Sequence, residues 1–449
     1  MNERRYFGTD GIRGRVGSEP ITAEFALRLG RATGSVLRRM RERPRVLIGK
    51  DTRLSGYMLE SALEAGLAAA GADVVLLGPM TTPAVAFLTR SQRADAGIVI
   101  SASHNPFEDN GIKFFSAAGE KLDDALELAI EAALEHPDPM PAARDLGRAT
   151  RLGDANGRYL EFLKSRLSGT LDPLASMRLV VDAAHGAGYR VAPRLFEELG
   201  LQVHAIGVEP NGYNINAGHG ATDLTALRAE LQRTGADLGL ALDGDGDRLM
   251  AMTAEGRLVD GDDIVYLLAR HWHAQGTLRG PVVGTVMTNL GIERALQALG
   301  IGFERAAVGD RYVHQRLVDT GGILGGEASG HVLCLHKAST GDGLLSALLL
   351  LEVLAQTGAS LGALVADLHR YPQKTINVRV ASGARALVQH AEVQRARAAV
   401  EAALGTQGRL ILRPSGTEPL IRVTVEAERA EQVDELAQQM AAAVRAVAA

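Results

Sequence analysis

Arg45-Val-Leu-Ile-Gly49 reads as a short buried strand, residues 56–70 as an Ala- and Leu-rich helix, and Asp73-Val-Val-Leu-Leu77 as a second strand. The same grammar returns at 178–207, as RLVVDA, a helix over 191–199 and QVHAIG. It returns again at 281–307, as PVVGTVM, a helix over 292–299 and IGFERAA. Such alternation predicts three related α/β domains with parallel or mixed sheets. Beyond Tyr371 the pattern changes. Strands over 375–380, 409–412 and 420–426, with helices over 388–404 and 430–448, predict a smaller α+β domain with adjacent antiparallel strands. The Pro-bearing stretch at 136–141, the polar segment that follows it and the changes near Arg257 and Tyr371 divide the chain into 1–150, 151–256, 257–370 and 371–449.

Length alone gives a similar answer. At about 150 residues per domain, 449 residues predict about three, because single cores stop growing beyond about 250–300 residues. The apolar content of 46% excludes disorder of the whole chain. Glycine, at 51 residues, is about 11% against a usual ~7% and follows no triplet period, so tight turns and ligand-approaching loops explain it. The formal charge of −5 argues against a large nucleic-acid footprint. No apolar core of a signal peptide stands near Met1. The most apolar run, 344–355, is interrupted by Ser346 and Glu352 and is too short for a membrane span. With a single cysteine, Cys334, the chain is expected to be cytoplasmic, with neither membrane nor nucleic acid as partner.

Four loops carry chemistry. Ser101-Ala-Ser103-His104-Asn105-Pro106 follows the apolar strand AGIVI and leads into Asn110-Gly-Ile-Lys113. The glycine-flanked elbow of a serine hydrolase is missing. A Ser with a neighbouring His and a cation suits a phosphoserine carrier as well as an acyl enzyme, and a plain turn ending a strand remains the simple alternative. Asp243-Gly-Asp245-Gly-Asp247-Arg248 follows the apolar strand 238–242. Three alternating carboxylates repel one another, and a hard cation such as Mg²⁺ or Ca²⁺ relieves that repulsion. Arg248 and Ala254 stand where a calcium-binding EF-hand needs Gly and an acid, so Mg²⁺ beside a phosphate fits better.

Glu327, Ser329 and His331 alternate in GGEASGH and suit sugar hydroxyls, or the segment is a glycine-rich connector. Arg413-Pro-Ser415-Gly416-Thr417-Glu-Pro, with Arg422 beyond it, offers guanidinium, hydroxyl and backbone donors to a phosphate, or forms a simple hairpin turn. Neither a P-loop nor a complete dinucleotide fingerprint is present, so ATP and NAD lose support.

The ordered set SASHNP, DGDGDR, GEASGH and RPSGTEP resembles the α-D-phosphohexomutase superfamily over almost the whole chain. RYFGTDGIRG, NPFEDNGIKFF, GTVMTNLG and VGDRYV resemble its glucosamine branch, the alternative being a phosphomannomutase/phosphoglucomutase. The resemblance implies a heart-shaped, four-domain protein with one motif per domain around a central cleft. The activity it implies is interconversion of glucosamine 6-phosphate and glucosamine 1-phosphate through a 1,6-bisphosphate, towards UDP-N-acetylglucosamine and the cell wall.

It also implies residue roles. Ser103 carries the phosphoryl group, and Asp243, Asp245 and Asp247 hold Mg²⁺ together with that phosphoserine. Arg248, Lys113, His104 and Arg13 act at the transferring group, with Lys113 preferred as general base and His104 next. Glu327, Ser329 and His331 read the sugar, and Arg413, Ser415, Gly416, Thr417 and Arg422 anchor the idle phosphate. A homodimer is implied by resemblance alone. Two positions depart from the pattern: Ala328 replaces the Gln usual in the glucosamine branch, and His219 stands where a Cys is common.

Overall fold

A computed structural model describes residues 4–380, 383–414 and 419–448. It divides into two compact units, one of Met1–Thr285 with Ala306–Ala366 and one of Val286–Arg305 with Asp367–Ala449.

The first unit opens with a six-stranded sheet of β1 (Ile12–Arg15), β2 (Arg45–Lys50), β3 (Asp73–Pro79), β4 (Ala96–Ile100), β5 (Asp109–Ser116) and β6 (Ala149–Arg151), in the order β1-β5-β4-β2-β3-β6. The βα units pair in parallel, β2 with β3 and β4 and β3 with β6, because helical crossovers return the chain to the same end of the sheet. The strands β5 and β1 add an antiparallel edge. Val46, Leu47, Ile48, Ile98, Val99 and Ile100 are all wholly buried, as expected of strands covered on both faces. Helices Ala23–Met40 and Ser55–Ala69 pack closely. A Cβ on Gly30 would come within 2.5 Å of the Leu63 carbonyl, and one on Gly66 within 2.2 Å of that of Leu27. Part of the glycine excess therefore serves helix contact, which the composition had suggested only for turns and loops.

The second sheet, of β7 (Arg178–Asp182), β8 (Gln202–Ile206), β9 (Leu238–Leu242), β10 (Leu249–Thr253) and β11 (Leu258–Val259), has the order β11-β10-β9-β7-β8. Again β7 pairs in parallel with β8 and β9, and the hairpin β9/β10 is antiparallel. The third repeats the scheme in small: Val282–Thr285 pairs in parallel with Leu324–Gly326, which pairs antiparallel with Val332–Cys334. The apolar run near residue 350 forms the buried helix Gly343–Thr357. Among the described residues no helix is long and apolar enough to cross a membrane.

In the second unit, strand Leu420–Ala427 lies between Gln373–Arg379 and Gly408–Pro414, antiparallel to both. Val423, Val425, Val393, Val400, Ala437 and Met440 form its buried core. The helix expected over 388–404 is Ala391–Leu404, starting three residues later because the His390 side chain accepts from the Glu392 N–H and caps that start, and a separate short helix, Ala384–Val388, precedes it. Val286–Arg305 joins this unit through capping and backbone bonds: Leu290 N–H donates to Glu426 (2.8 Å), and the Arg409 guanidinium donates to the carbonyls of Val286 (3.0 Å) and Thr288. Within 257–370, Val286–Arg305 belongs to this unit and Ala306–Ala366 to the first.

Candidate active site

The first three motif loops occupy equivalent places. Each joins a buried strand, β4, β9 or Leu324–Gly326, to the antiparallel strand that returns beside it. The fourth motif lies between the antiparallel pair Gly408–Pro414 and Leu420–Ala427, and its Ser415, Gly416 and Thr417 fall outside the described residues. Functional loops mounted on strand ends gain a rigid base.

Ser103 sits at the end of β4 with φ of +53°, a region that non-glycine residues seldom occupy. Several bonds hold it there. Its N–H donates to Ser101 Oγ (3.0 Å), while its carbonyl accepts from Arg53 (3.1 Å) and from Asn216 Nδ2 (2.9 Å). The same two side chains also reach the Asn105 carbonyl, at 2.6 and 3.0 Å. Arg53 is fully buried against Asp51, whose other contact is the Ser101 hydroxyl at 2.5 Å. Thus fixed, the Ser103 hydroxyl donates to Asp243 Oδ2 at 2.6 Å and lies 3.4 Å from His104 Nδ1.

Asp243, Asp245 and Asp247 are buried and converge, with oxygens all within 4.8 Å of one another. Gly246, at φ +73°, turns the loop where a Cβ would stand 2.7 Å from Thr81. Asp245 Oδ2 accepts from Thr82 Oγ1 (2.6 Å) and Lys113 Nζ (2.8 Å). The other oxygen of Asp245, like Asp247 Oδ1, is buried without a hydrogen bond. Orphaned buried carboxylate oxygens are costly, and three hard oxygen donors so placed fit a divalent cation.

Protonation follows from this crowding. Burial and the neighbouring Asp247 and Asp245 charges hold the Asp243 carboxyl well above its ordinary range. Burial acts the same way on Asp247, but Lys113 and His331 outweigh it and keep that carboxylate ionised. Burial alone would depress the Lys113 ammonium, yet Asp10 (3.1 Å), Asp245 and Asp247 (3.5 Å) raise its pKa above the usual lysine value. His104 is pushed down to about 4 by burial and by the nearby Arg248 and Arg13, so it is neutral near pH 7. His331, also buried, is instead raised to about 9, because Asp247 outweighs its desolvation.

Arg248 reaches the metal loop through its backbone N–H to Asp243 Oδ1 (3.2 Å) and its guanidinium 3.8 Å from Asp243 and 3.9 Å from Asp247. Arg13, on β1, is paired with Asp10. Glu327 accepts from the Gly309 N–H (3.0 Å), Ser329 is half-buried in the same loop, and His331 stands 3.6 Å from Asp247. In the second unit Arg413 and Arg422 are directly opposed across two antiparallel strands, so their side chains share a face. Burial and then the Arg422 charge lower the pKa of Arg413, a mark of concentrated positive charge.

Several participants escaped the sequence reading. Asp10 and Asp310 lie within motifs quoted only for their resemblance, RYFGTDGIRG and VGDRYV, and Asn216 within NINAGHG. Thr82 and Lys121 carried no local signal, because each acts on partners at least 111 residues away; Arg53 pairs locally with Asp51, but its bond to the Ser103 carbonyl spans 50 residues. His219 donates from Nδ1 to Asp182 Oδ2 at 3.2 Å.

Models of the phosphoglucomutase/phosphomannomutase α/β/α domains I, II and III match residues 4–139, 157–256 and 260–371, and that of the C-terminal domain matches 376–443. A phosphoglucosamine mutase of Xylella fastidiosa strain M12 is 59% identical over 442 residues, 98% of this chain and 99% of the relative. One of Xanthomonas oryzae pv. oryzae strain PXO99A is 58% identical over 447 residues, 99% of each. The crystal structure of a phosphoglucomutase/phosphomannomutase family protein from Burkholderia thailandensis superposes with a TM-score of 0.83 at 26% identity, covering 100% of this chain and 98% of that one. The chain belongs to the phosphoglucomutase/phosphomannomutase family, with three α/β domains and a C-terminal domain.

Proposed function

We propose that this family member is a phosphoglucosamine mutase, interconverting glucosamine 6-phosphate and glucosamine 1-phosphate through a phosphoserine at Ser103. The observation that carries this is the buried Ser103 hydroxyl 2.6 Å from an acidic triad, in a chain so like phosphoglucosamine mutases along its length. Phosphoryl transfer asks a protein mainly for positioning and charge stabilisation, and the loop supplies both. The free hydroxyl of the sugar phosphate attacks the Ser103 phosphorus. As the new P–O bond forms, the bond to Ser103 Oγ breaks and glucosamine 1,6-bisphosphate results. That intermediate turns round and returns its other phosphoryl group to Ser103, so the serine phosphate is regenerated.

Asp243, Asp245 and Asp247 would hold Mg²⁺ with the Ser103 phosphate; when bound, the ion neutralises charge on the transferring group. Lys113 and Arg248 supply fixed positive charge beside the same residues. Three carboxylates keep the Lys113 ammonium protonated, whereas neutral His104 faces the serine hydroxyl. This favours His104 over Lys113 as the group that takes up the attacking hydroxyl's proton. Glu327, Ser329 and His331 read the sugar. Arg413 and Arg422, with Ser415, Gly416 and Thr417, hold the phosphate that is not reacting, in a cytoplasmic homodimer that feeds UDP-N-acetylglucosamine synthesis without a nucleic-acid partner.

A coupled assay across the 6-phosphates of glucosamine, glucose and mannose tests the substrate. Glucosamine 6-phosphate is expected to give the highest kcat/KM, and a better value for either of the others would reassign the branch. Intact-mass measurement should find one phosphate adduct, absent from Ser103→Ala together with turnover. An active, phosphorylated Ser103→Ala enzyme would sink the mechanism.

A further inference from the structure

Six charged side chains of alternating sign form a closed ring through the site. Lys113 meets Asp247 at 3.5 Å and Asp10 at 3.1 Å. Lys121 meets Asp10 at 2.6 Å and Asp310 at 2.6 Å. His331 closes the ring, 3.7 Å from Asp310 and 3.6 Å from Asp247, distances of ion-pair contact and too long for hydrogen bonds. Lys113, Asp247 and His331 already have roles; Asp10, Lys121 and Asp310 have none. The ring links the metal loop, the strand beside the phosphoserine loop and the loop that reads the sugar.

Asp310 begins the helix Asp310–Thr320, and its neighbours grip both sides of the site. The Gly309 N–H donates to Glu327 in the sugar loop at 3.0 Å. The Arg311 guanidinium donates to the Leu122 carbonyl at 2.6 Å and pairs with Asp124 at 2.9 Å. Lys121 stands between these segments, its side chain 21% exposed and bordering a cavity of about 440 Å³.

We propose that Lys121, acting through Asp10 and Asp310, is a positioning residue that sets the sugar-reading loop at its working distance from the phosphoryl-transfer groups. This rests on the phosphoserine mechanism above and adds a residue to it. Without the ammonium, Asp10 and Asp310 are like charges facing one another, and their repulsion pushes apart the segments that carry them. The Ser103 loop keeps its own bonds to Arg53, Asn216 and Ser101, none of which passes through Lys121. Loss of Lys121 therefore harms transfer to a sugar and spares the reactivity of the phosphoserine towards water. A displacement of about 1 Å is enough to cost up to about 100-fold in transfer.

The test uses the phosphorylated full-length enzyme and two rates of label loss from Ser103, one to glucosamine 6-phosphate by rapid quench and one to water without sugar. In Lys121→Met, transfer to the sugar should fall about 10- to 100-fold, while loss to water stays within about twofold of the parent and Lys121→Arg recovers most of the transfer. Lys121→Gln, which also lacks the ammonium and leaves both carboxylates in place, should behave like Lys121→Met and serves if that variant folds poorly. Unchanged transfer in both variants overturns the inference, as does a parallel fall in both rates. A parent enzyme that passes no label to any sugar phosphate overturns the phosphoserine mechanism itself. Parent transfer with an equally fast Lys121→Met overturns the positioning role alone.

Discussion

Arg53 is the residue whose loss should most sharply separate folding from catalysis. It is fully buried, pairs with Asp51 and donates to the carbonyls of Ser103 and Asn105. Arg53→Met leaves Asp51 buried without its counter-charge, and breaking one side of a buried pair costs about 3–5 kcal/mol. At about 2 °C per kcal/mol, the value for larger domains, Tm should fall by about 6–10 °C. Turnover should fall as well, because the left-handed Ser103 backbone keeps only the Asn216 donor on its carbonyl. Adding Asp51→Asn removes the second charge and still leaves an acceptor for the Ser101 hydroxyl, so most of the stability should return. The carbonyl clamp is not restored, so activity should stay about 10- to 100-fold below the parent. Differential scanning calorimetry and steady-state turnover on both variants decide this. Activity that recovers in step with Tm in the double variant would refute the clamp.

Other expectations concern charge. Asp245→Asn relieves repulsion within the acidic triad while losing part of the Lys113 pairing. Its Tm without metal should lie near the parent's, but Mg²⁺ should add much less than the ~2.7 kcal/mol that the parent gains at about 100 times its Kd; an undiminished thermal shift argues against the site. Because burial and its neighbours hold the Asp243 carboxyl well above its ordinary range, a cation competes with a proton there. Apparent Mg²⁺ affinity should therefore rise with pH above the ordinary carboxylate range, with proton release detectable by calorimetry in buffers of different ionisation heat; a flat profile contradicts it. Opposed like charges on a sheet cost about 0.2–1 kcal/mol, so Arg422→Gln should leave Tm equal or slightly higher while raising KM for the sugar phosphate more than it lowers kcat. A lower Tm with unchanged KM would show that Arg422 is structural.

Much of this molecule is legible along the chain. The strand–helix–strand repeats emerge as mixed sheets whose parallel centres follow from their crossovers. The acidic triad is contained within five residues, so chain connectivity alone brings its carboxylates together. Length predicted about three domains, and the family match gives three α/β domains and one more beyond. The helix expected from 388 begins only at Ala391 because a capping histidine, His390, sets its start, an effect that apolar periodicity does not register.

Which distant groups meet was decided only by tertiary structure. Lys113 reaches Asp245 across 132 residues and Lys121 reaches Asp310 across 189, and no spacing rule connects either pair. The roles of chemically similar residues were settled the same way. His104 and His331 are both histidines in motif loops, yet one is held neutral by burial and neighbouring arginines and the other positive by Asp247. Composition and order along the chain establish which donors and acceptors a loop contains. Their charge states depend on desolvation and on Coulomb forces that become strong only when folding brings remote groups within a few ångströms and removes the water between them.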